Sequence, residues 1–79
     1  RKERGELWVE GPNAVREAIR AGLPLRRLFV REGSFETLAT LRIPPGFSLE
    51  HDAYELGEKA FAKLASTDSP PPLAAVFGM

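Results

Sequence analysis

Two short polar stretches carry most of the side chains in this chain that could bind a ligand. The first is Glu10-Gly11-Pro12-Asn13, continued by Arg16, Glu17 and Arg20. The second is Ser66-Thr67-Asp68-Ser69, followed by Pro70, Pro71 and Pro72. Gly11 permits a sharp change of backbone direction. Pro12 suits the first position of a helix, where its missing N–H would have no intrahelical partner. The stretch therefore reads as a strand running into a helix, with free N–H groups and polar side chains facing solvent. Such a helix start can hold a phosphate or a carboxylate. A plain strand-to-helix connection is the alternative. Hydroxyls, an amide and arginines at the carboxyl ends of strands suit phosphates or unpaired bases, and open α/β sheets bind ligands at that end.

Other chemistries find little support. His51 is the only histidine, and no Ser-His-Asp or Cys-His set can be built around it; it reads as a solvated loop residue. Without cysteine there is no disulfide framework or thiolate metal site, and no cluster has metal-ligand spacing. The glycine-rich nucleotide fingerprints are absent. Glu10 and Asp68 could act as an acid/base pair only if their loops converge.

The 79 residues make one domain, of a size that buries roughly 60% of its unfolded surface. Formal net charge is zero, which argues against a strongly basic nucleic-acid clamp. The positive charge is mostly arginine, eight residues against three lysines, and arginine's planar fork suits phosphate recognition. Arginine enrichment could equally reflect genome composition or a hot habitat. No apolar run approaches the roughly 18 residues that span a membrane. Arg1-Lys2-Glu3-Arg4 is not followed by the apolar stretch of a signal peptide. A cytoplasmic location is one expectation; that the chain, beginning with Arg1 and not Met, is a fragment of something longer is another.

The elements that must position these side chains follow from periodicity. Residues 1–6 read as a flexible lead-in and residues 7–79 as the domain. Leu7, Trp8 and Val9 form a first strand. Residues 12–21 form a helix with Ala14, Val15, Ala18 and Ile19 on the buried face and Asn13, Arg16, Glu17 and Arg20 on the other. Gly22 and Pro24 stop it. Residues 25–30 form a second strand, its Leu28-Phe29-Val30 run suited to burial on both faces. Strand, helix and strand have the length of a right-handed βαβ unit. Ser34 reads as the cap of a second helix through about Leu41, with Phe35, Leu38 and Leu41 as its apolar residues. Phe47, Ser48 and Leu49 read as a short third strand. Asp52 with Glu55 resembles a capping box opening a third helical stretch. That stretch has an apolar stripe of Leu56, Ala60, Phe61 and Leu64, a Glu55–Lys59 pair and a solvated charged face. Gly57 weakens it and moves the start of regular helix to Glu58. Leu73 to Phe77 is the last strand. The alternation is that of a small layered α/β domain.

The ordered segments Trp8-Val9-Glu10-Gly11-Pro12-Asn13-Ala14-Val15-Arg16-Glu17-Ala18, Gly22-Leu23-Pro24-Leu25-Arg26-Arg27-Leu28-Phe29-Val30 and Lys63-Leu64-Ala65-Ser66-Thr67-Asp68-Ser69-Pro70, closing on Ala75-Val76, resemble a known domain. It is the N-terminal substrate-binding domain of the SpoU (TrmH) family of RNA 2′-O-ribose methyltransferases. The resemblance runs from about Leu7 to Phe77. It implies a three-layer α/β/α sandwich around a small mixed four-stranded sheet, similar to the ribosomal proteins that bind kink-turn RNA. It also implies that this chain has no catalytic residues, metal or cofactor of its own. In that family a C-terminal trefoil-knot domain binds S-adenosylmethionine and carries out methyl transfer, and the parent is expected to be a homodimer.

By the same resemblance the RNA, ribosomal most of all and tRNA second, would meet Glu10, Gly11, Asn13, Arg16 and Arg20 in one turn and Thr67, Asp68 and Ser69 in the other. Arg16 and Arg20 would contact phosphate. Asn13 and Thr67 would bond a base edge or 2′-hydroxyl, Gly11 would allow close backbone approach, and Glu10 would fix the turn or contact RNA. The family usually has Gln-Gly where Pro71 and Pro72 stand, so a contact made by that glutamine is lost here. Trp8, Phe29 and Phe77 read as core, leaving Tyr54 and Phe35 as exposed aromatics. Two alternatives keep the fold and change the role: a free-standing kink-turn RNA binder, or a protein-interaction domain.

Overall fold

The computed structural model describes residues 5–65 and 71–78. Four strands, β1 (Glu6–Glu10), β2 (Leu25–Arg31), β3 (Ala53–Leu56) and β4 (Leu73–Gly78), make one mixed sheet in the order β1-β4-β2-β3. β4 runs antiparallel to both β1 and β2, whereas β2 and β3 are parallel. β1 and β2 are therefore parallel to each other with β4 inserted between them, a split form of the expected βαβ unit. Helix α1 (Pro12–Arg20) makes the crossover, and two further helices, α2 (Leu49–Asp52) and α3 (Glu58–Leu64), flank β3.

The core lies on the sheet face that α1 covers. Leu73, Ala75 and Phe77 alternate along β4 and cluster with Leu28 and Val30 of β2, Val15 of α1 and Leu41. Ala18 and Ile19 pack against this cluster, so the helix buries the stripe its periodicity indicates; Ala14 alone of the expected face is exposed. The stop after α1 is a Schellman motif. Gly22 takes φ +87, its N–H donates to Ile19 O at 3.0 Å and the Leu23 N–H to Ala18 O at 3.2 Å. That satisfies carbonyls which would otherwise be orphaned at the helix end.

The opposite sheet face carries a row of aromatics. Trp8 and Phe29 have ring centroids 5.7 Å apart, and Phe29 stacks on Tyr54 at 5.4 Å. Small Ala74 of β4, in register with Glu10 and Phe29, leaves room for these rings. Phe77 is core as expected, but Trp8 and Phe29 are only half-buried. Phe35 and Tyr54 are exposed.

Three local expectations are corrected. Residues 35–40 form a 3₁₀ segment (Phe35–Thr40), not a regular second helix. The Thr37 and Thr40 hydroxyls donate to Ser34 O and Thr37 O at 2.8 and 2.7 Å, holding the carbonyls three residues back. Ser34 precedes the segment but makes no side-chain cap.

The third strand is Ala53–Leu56, not Phe47 to Leu49. Ser48 instead caps α2: its hydroxyl accepts the His51 N–H at 3.1 Å, and Asp52 Oδ2 accepts the Ser48 N–H at 3.3 Å. This reciprocal pair folds the chain into one turn. The residues after it are free to extend beside β2, with Tyr54 opposite Phe29. His51, though exposed, therefore lies in a helix and not in a loop.

Asp52 consequently closes α2 and opens no capping box with Glu55. Glu55 lies in β3 and Lys59 in α3, so the two do not share a helix face. Regular helix does begin at Glu58 after Gly57. Of its expected stripe Phe61 is buried, while Ala60 and Leu64 are exposed.

Candidate nucleic-acid interface

The turn between β1 and α1 is built around Gly11. Its φ of +100 and ψ of 142 lie in a region that glycine alone occupies without strain. Its carbonyl accepts the first helical bond, from the Val15 N–H at 2.9 Å. Pro12 fills the first helical position, and α1 begins with neither a side-chain cap nor an acidic residue in its first turn. The positive end of the helix is therefore left for an anion.

At one end of the sheet the first polar stretch meets the residues that lead from the second into β4. The Gly11 N–H donates to Leu73 O at 2.7 Å, and Glu10 is in register with Ala74. A Cβ on Gly11 would stand 3.8 Å from Pro71 Cγ, in ordinary van der Waals contact. Pro72 O accepts the Arg31 N–H at 2.9 Å. Pro71 and Pro72 thus form a stiff wall beside the first turn. Ser66, Thr67, Asp68 and Ser69 lie outside the described residues, so of the second stretch only the exit into β4 is placed. The Glu10–Asp68 pairing falls there too. Glu10 Oε2 accepts the Trp8 indole N–H at 2.6 Å, which fits a role in fixing the turn.

Asn13, Arg16, Glu17 and Arg20 share one face of α1, as their spacing predicts. Arg16 Nη2 donates to Asn13 Oδ1, and Arg16 Nη1 reaches Thr40 O at 3.4 Å. Arg20 pairs with Glu17 at 3.4 Å, with both side chains about two-thirds exposed. A pair so solvated contributes little and yields readily to a stronger anion.

Arg42 is the residue that sequence reasoning missed. It follows the 3₁₀ segment and comes across to Arg16 and Arg20, and the three arginines line a cavity of about 520 Å³. The i, i+4 relation of Arg16 and Arg20 was readable, but only the tertiary fold shows that Arg42 joins them. A second cavity, about 450 Å³, lies between the end of α1 and residues 44–47, with Ile19, Leu23, Pro44 and Phe47 among its walls and Asp52 as its one ionisable group. That largely apolar groove offers no charge for a phosphate.

Against known families, the model described as the MRM3-like substrate binding domain matches residues 1–75. No curated protein matches the chain.

Proposed function

The chain belongs to the MRM3-like substrate-binding domain family, the type found N-terminally in SpoU-type methyltransferases, and on that premise we propose that it grips an RNA so that a separate domain can methylate a ribose 2′-oxygen. Substrate recognition for RNA methylation is the family's role. The finer reading is that the RNA is ribosomal, that a trefoil-knot domain C-terminal to this chain supplies S-adenosylmethionine and the catalytic residues, and that the parent works as a homodimer. The helices around the mixed sheet are read in the same way as a three-layer arrangement like that of kink-turn-binding ribosomal proteins.

The observation that carries the reading is the convergence at the Gly11 end of the sheet. An uncapped helix start and the exit of the second polar loop lie together there, and the Asn13–Arg16–Arg20 face runs from that end along α1. In this reading Arg16 and Arg20 hold phosphates, while Asn13 and Thr67 bond a base edge or 2′-hydroxyl. Gly11 lets the RNA backbone approach, and Glu10, Asp68 and Ser69 shape the rim.

Fluorescence anisotropy with a labelled ribosomal RNA stem-loop at 50 mM salt tests it. Saturable binding that Asn13→Ala and Arg16→Ala both weaken is the expected result. Binding unaffected by either change would place the RNA elsewhere.

A further inference from the structure

We propose that the cleft walled by Arg16, Arg20 and Arg42 is a phosphodiester subsite that clamps the RNA backbone, with Arg42 as a ligand supplied from outside α1. The inference rests on the RNA-binding reading above and adds the site, its third residue and the group it takes.

Each arginine is rooted in the core by the residue before it. Val15 is fully buried, Ile19 packs on the core cluster, and Leu41 is 8% exposed. The three side chains therefore leave fixed backbone positions and project outward. Arg16 is also aimed: it holds Asn13 on its own helix and Thr40 O across the gap, tying α1 to the segment that ends in Arg42. Arg42 is exposed and has no hydrogen bond or ion pair with any described residue. Its guanidinium keeps all five donors for a ligand.

Charge selects the ligand class. Among the described residues the cleft has three guanidinium groups, with the Glu17 carboxylate beside Arg20, an excess of positive charge that disfavours cations and gives a neutral ligand no advantage. A planar guanidinium binds a phosphate through two parallel N–H···O bonds. The described residues that wall the cleft are arginines alone, whose apolar surface is their own stems, so they give the side chains of an acidic peptide little in which to be buried. Backbone phosphates need no such burial, because their affinity comes from counterion release.

That origin sets the magnitude. One phosphate neutralised contributes a slope of about −0.7 in log K against log salt for single strands. Removing Arg42 should then weaken RNA binding about eightfold at 50 mM salt and about threefold at 200 mM, and flatten the slope by about 0.7.

The test follows the arginine Nε–Hε resonances of the full chain and of Arg42→Ala. Three probes are titrated separately: a ribosomal RNA stem-loop, inorganic tripolyphosphate and poly-glutamate. Shifts at Arg16, Arg20 and Arg42 with the stem-loop, together with the eightfold and threefold losses in the variant, are the expected result. Stem-loop binding with those three resonances unmoved, or an Arg42→Ala variant that binds as the parent does, overturns the subsite and leaves the RNA-binding reading intact. If the stem-loop does not bind, the RNA reading fails. Shifts with tripolyphosphate alone would then make this a free-phosphate site, and tighter binding of poly-glutamate would make it a protein-docking site. Either result overturns the proposal.

Discussion

Arg16, Arg20 and Arg42 and the arginines that open β2 lie on opposite faces of the same sheet and have opposite surroundings. Arg27 is in register with Val76 on the aromatic face and pairs with Glu6 at 3.7 Å. Arg26 sits at an irregularity in the β2–β4 ladder. Its guanidinium lies so close over Gly78 that a Cβ there would stand 2.8 Å from Arg26 Nε. Their positive charge is directed to the protein's own strands. On the helical face Arg16 is braced by its neighbours, Arg20 is held by an exposed pair, Arg42 is unpaired, and all three line open space. Two sets of the same residue type, close in number, thus serve different ends. Counting arginines cannot separate them; what each guanidinium faces can.

The contrast breaks most completely if the frame carrying both sets is lost. Phe77 is fully buried between β1 and β2, and Phe77→Ala should cost about 3–5 kcal/mol in urea denaturation, as large-to-small changes of core aromatics do. Both arginine sets would lose their places with it. A smaller effect is expected at Gly11, whose φ of +100 strains any other residue by about 1–3 kcal/mol. Gly11→Ala should lower the unfolding free energy by that amount in urea denaturation and disturb α1 far more than β2, which amide exchange can localise. Arg16→Ala leaves the fold intact and should weaken stem-loop binding about tenfold at 50 mM salt, since it removes a phosphate contact and the brace to Thr40. The least is expected of Arg27→Ala. Its pair with Glu6 is about 40–50% exposed, so stability should change by less than about 1 kcal/mol and RNA affinity by less than about twofold. A tenfold loss at Arg27 would reverse the roles assigned to the two sets.

Much of this arrangement was legible in the chain. The strand–Gly-Pro–helix unit is specified locally: Gly11 needs its positive φ, Pro12 fits the first helical position, and the α1 stripe has the period of a helix. The Schellman stop at Gly22 and the start of α3 after Gly57 follow from glycine placement in the same way. The third strand was not legible. Phe47-Ser48-Leu49 has the alternation of a strand, but Ser48 and Asp52 cap each other over a single turn. Ala53–Leu56 became a strand only because β2 offered a free edge and Phe29 offered a ring for Tyr54. The same limit applied to the site. Asn13, Arg16 and Arg20 share a helix face by spacing alone, whereas Arg42 joins them through packing of Leu41 into a core that no local pattern reveals. The insertion of β4 between β1 and β2 is likewise a long-range choice. It is what brings the exit of the second polar loop beside Gly11.

Amide chemical-shift mapping of the chain with a ribosomal RNA stem-loop at low salt tests the central claim most directly. Recognition at the Gly11 end predicts perturbations running from Gly11 through Arg20, at Arg42 and in the loop before β4, with Arg27, Phe29 and Tyr54 unmoved. Perturbations confined to the aromatic face of β2 and β3, with α1 silent, would contradict it.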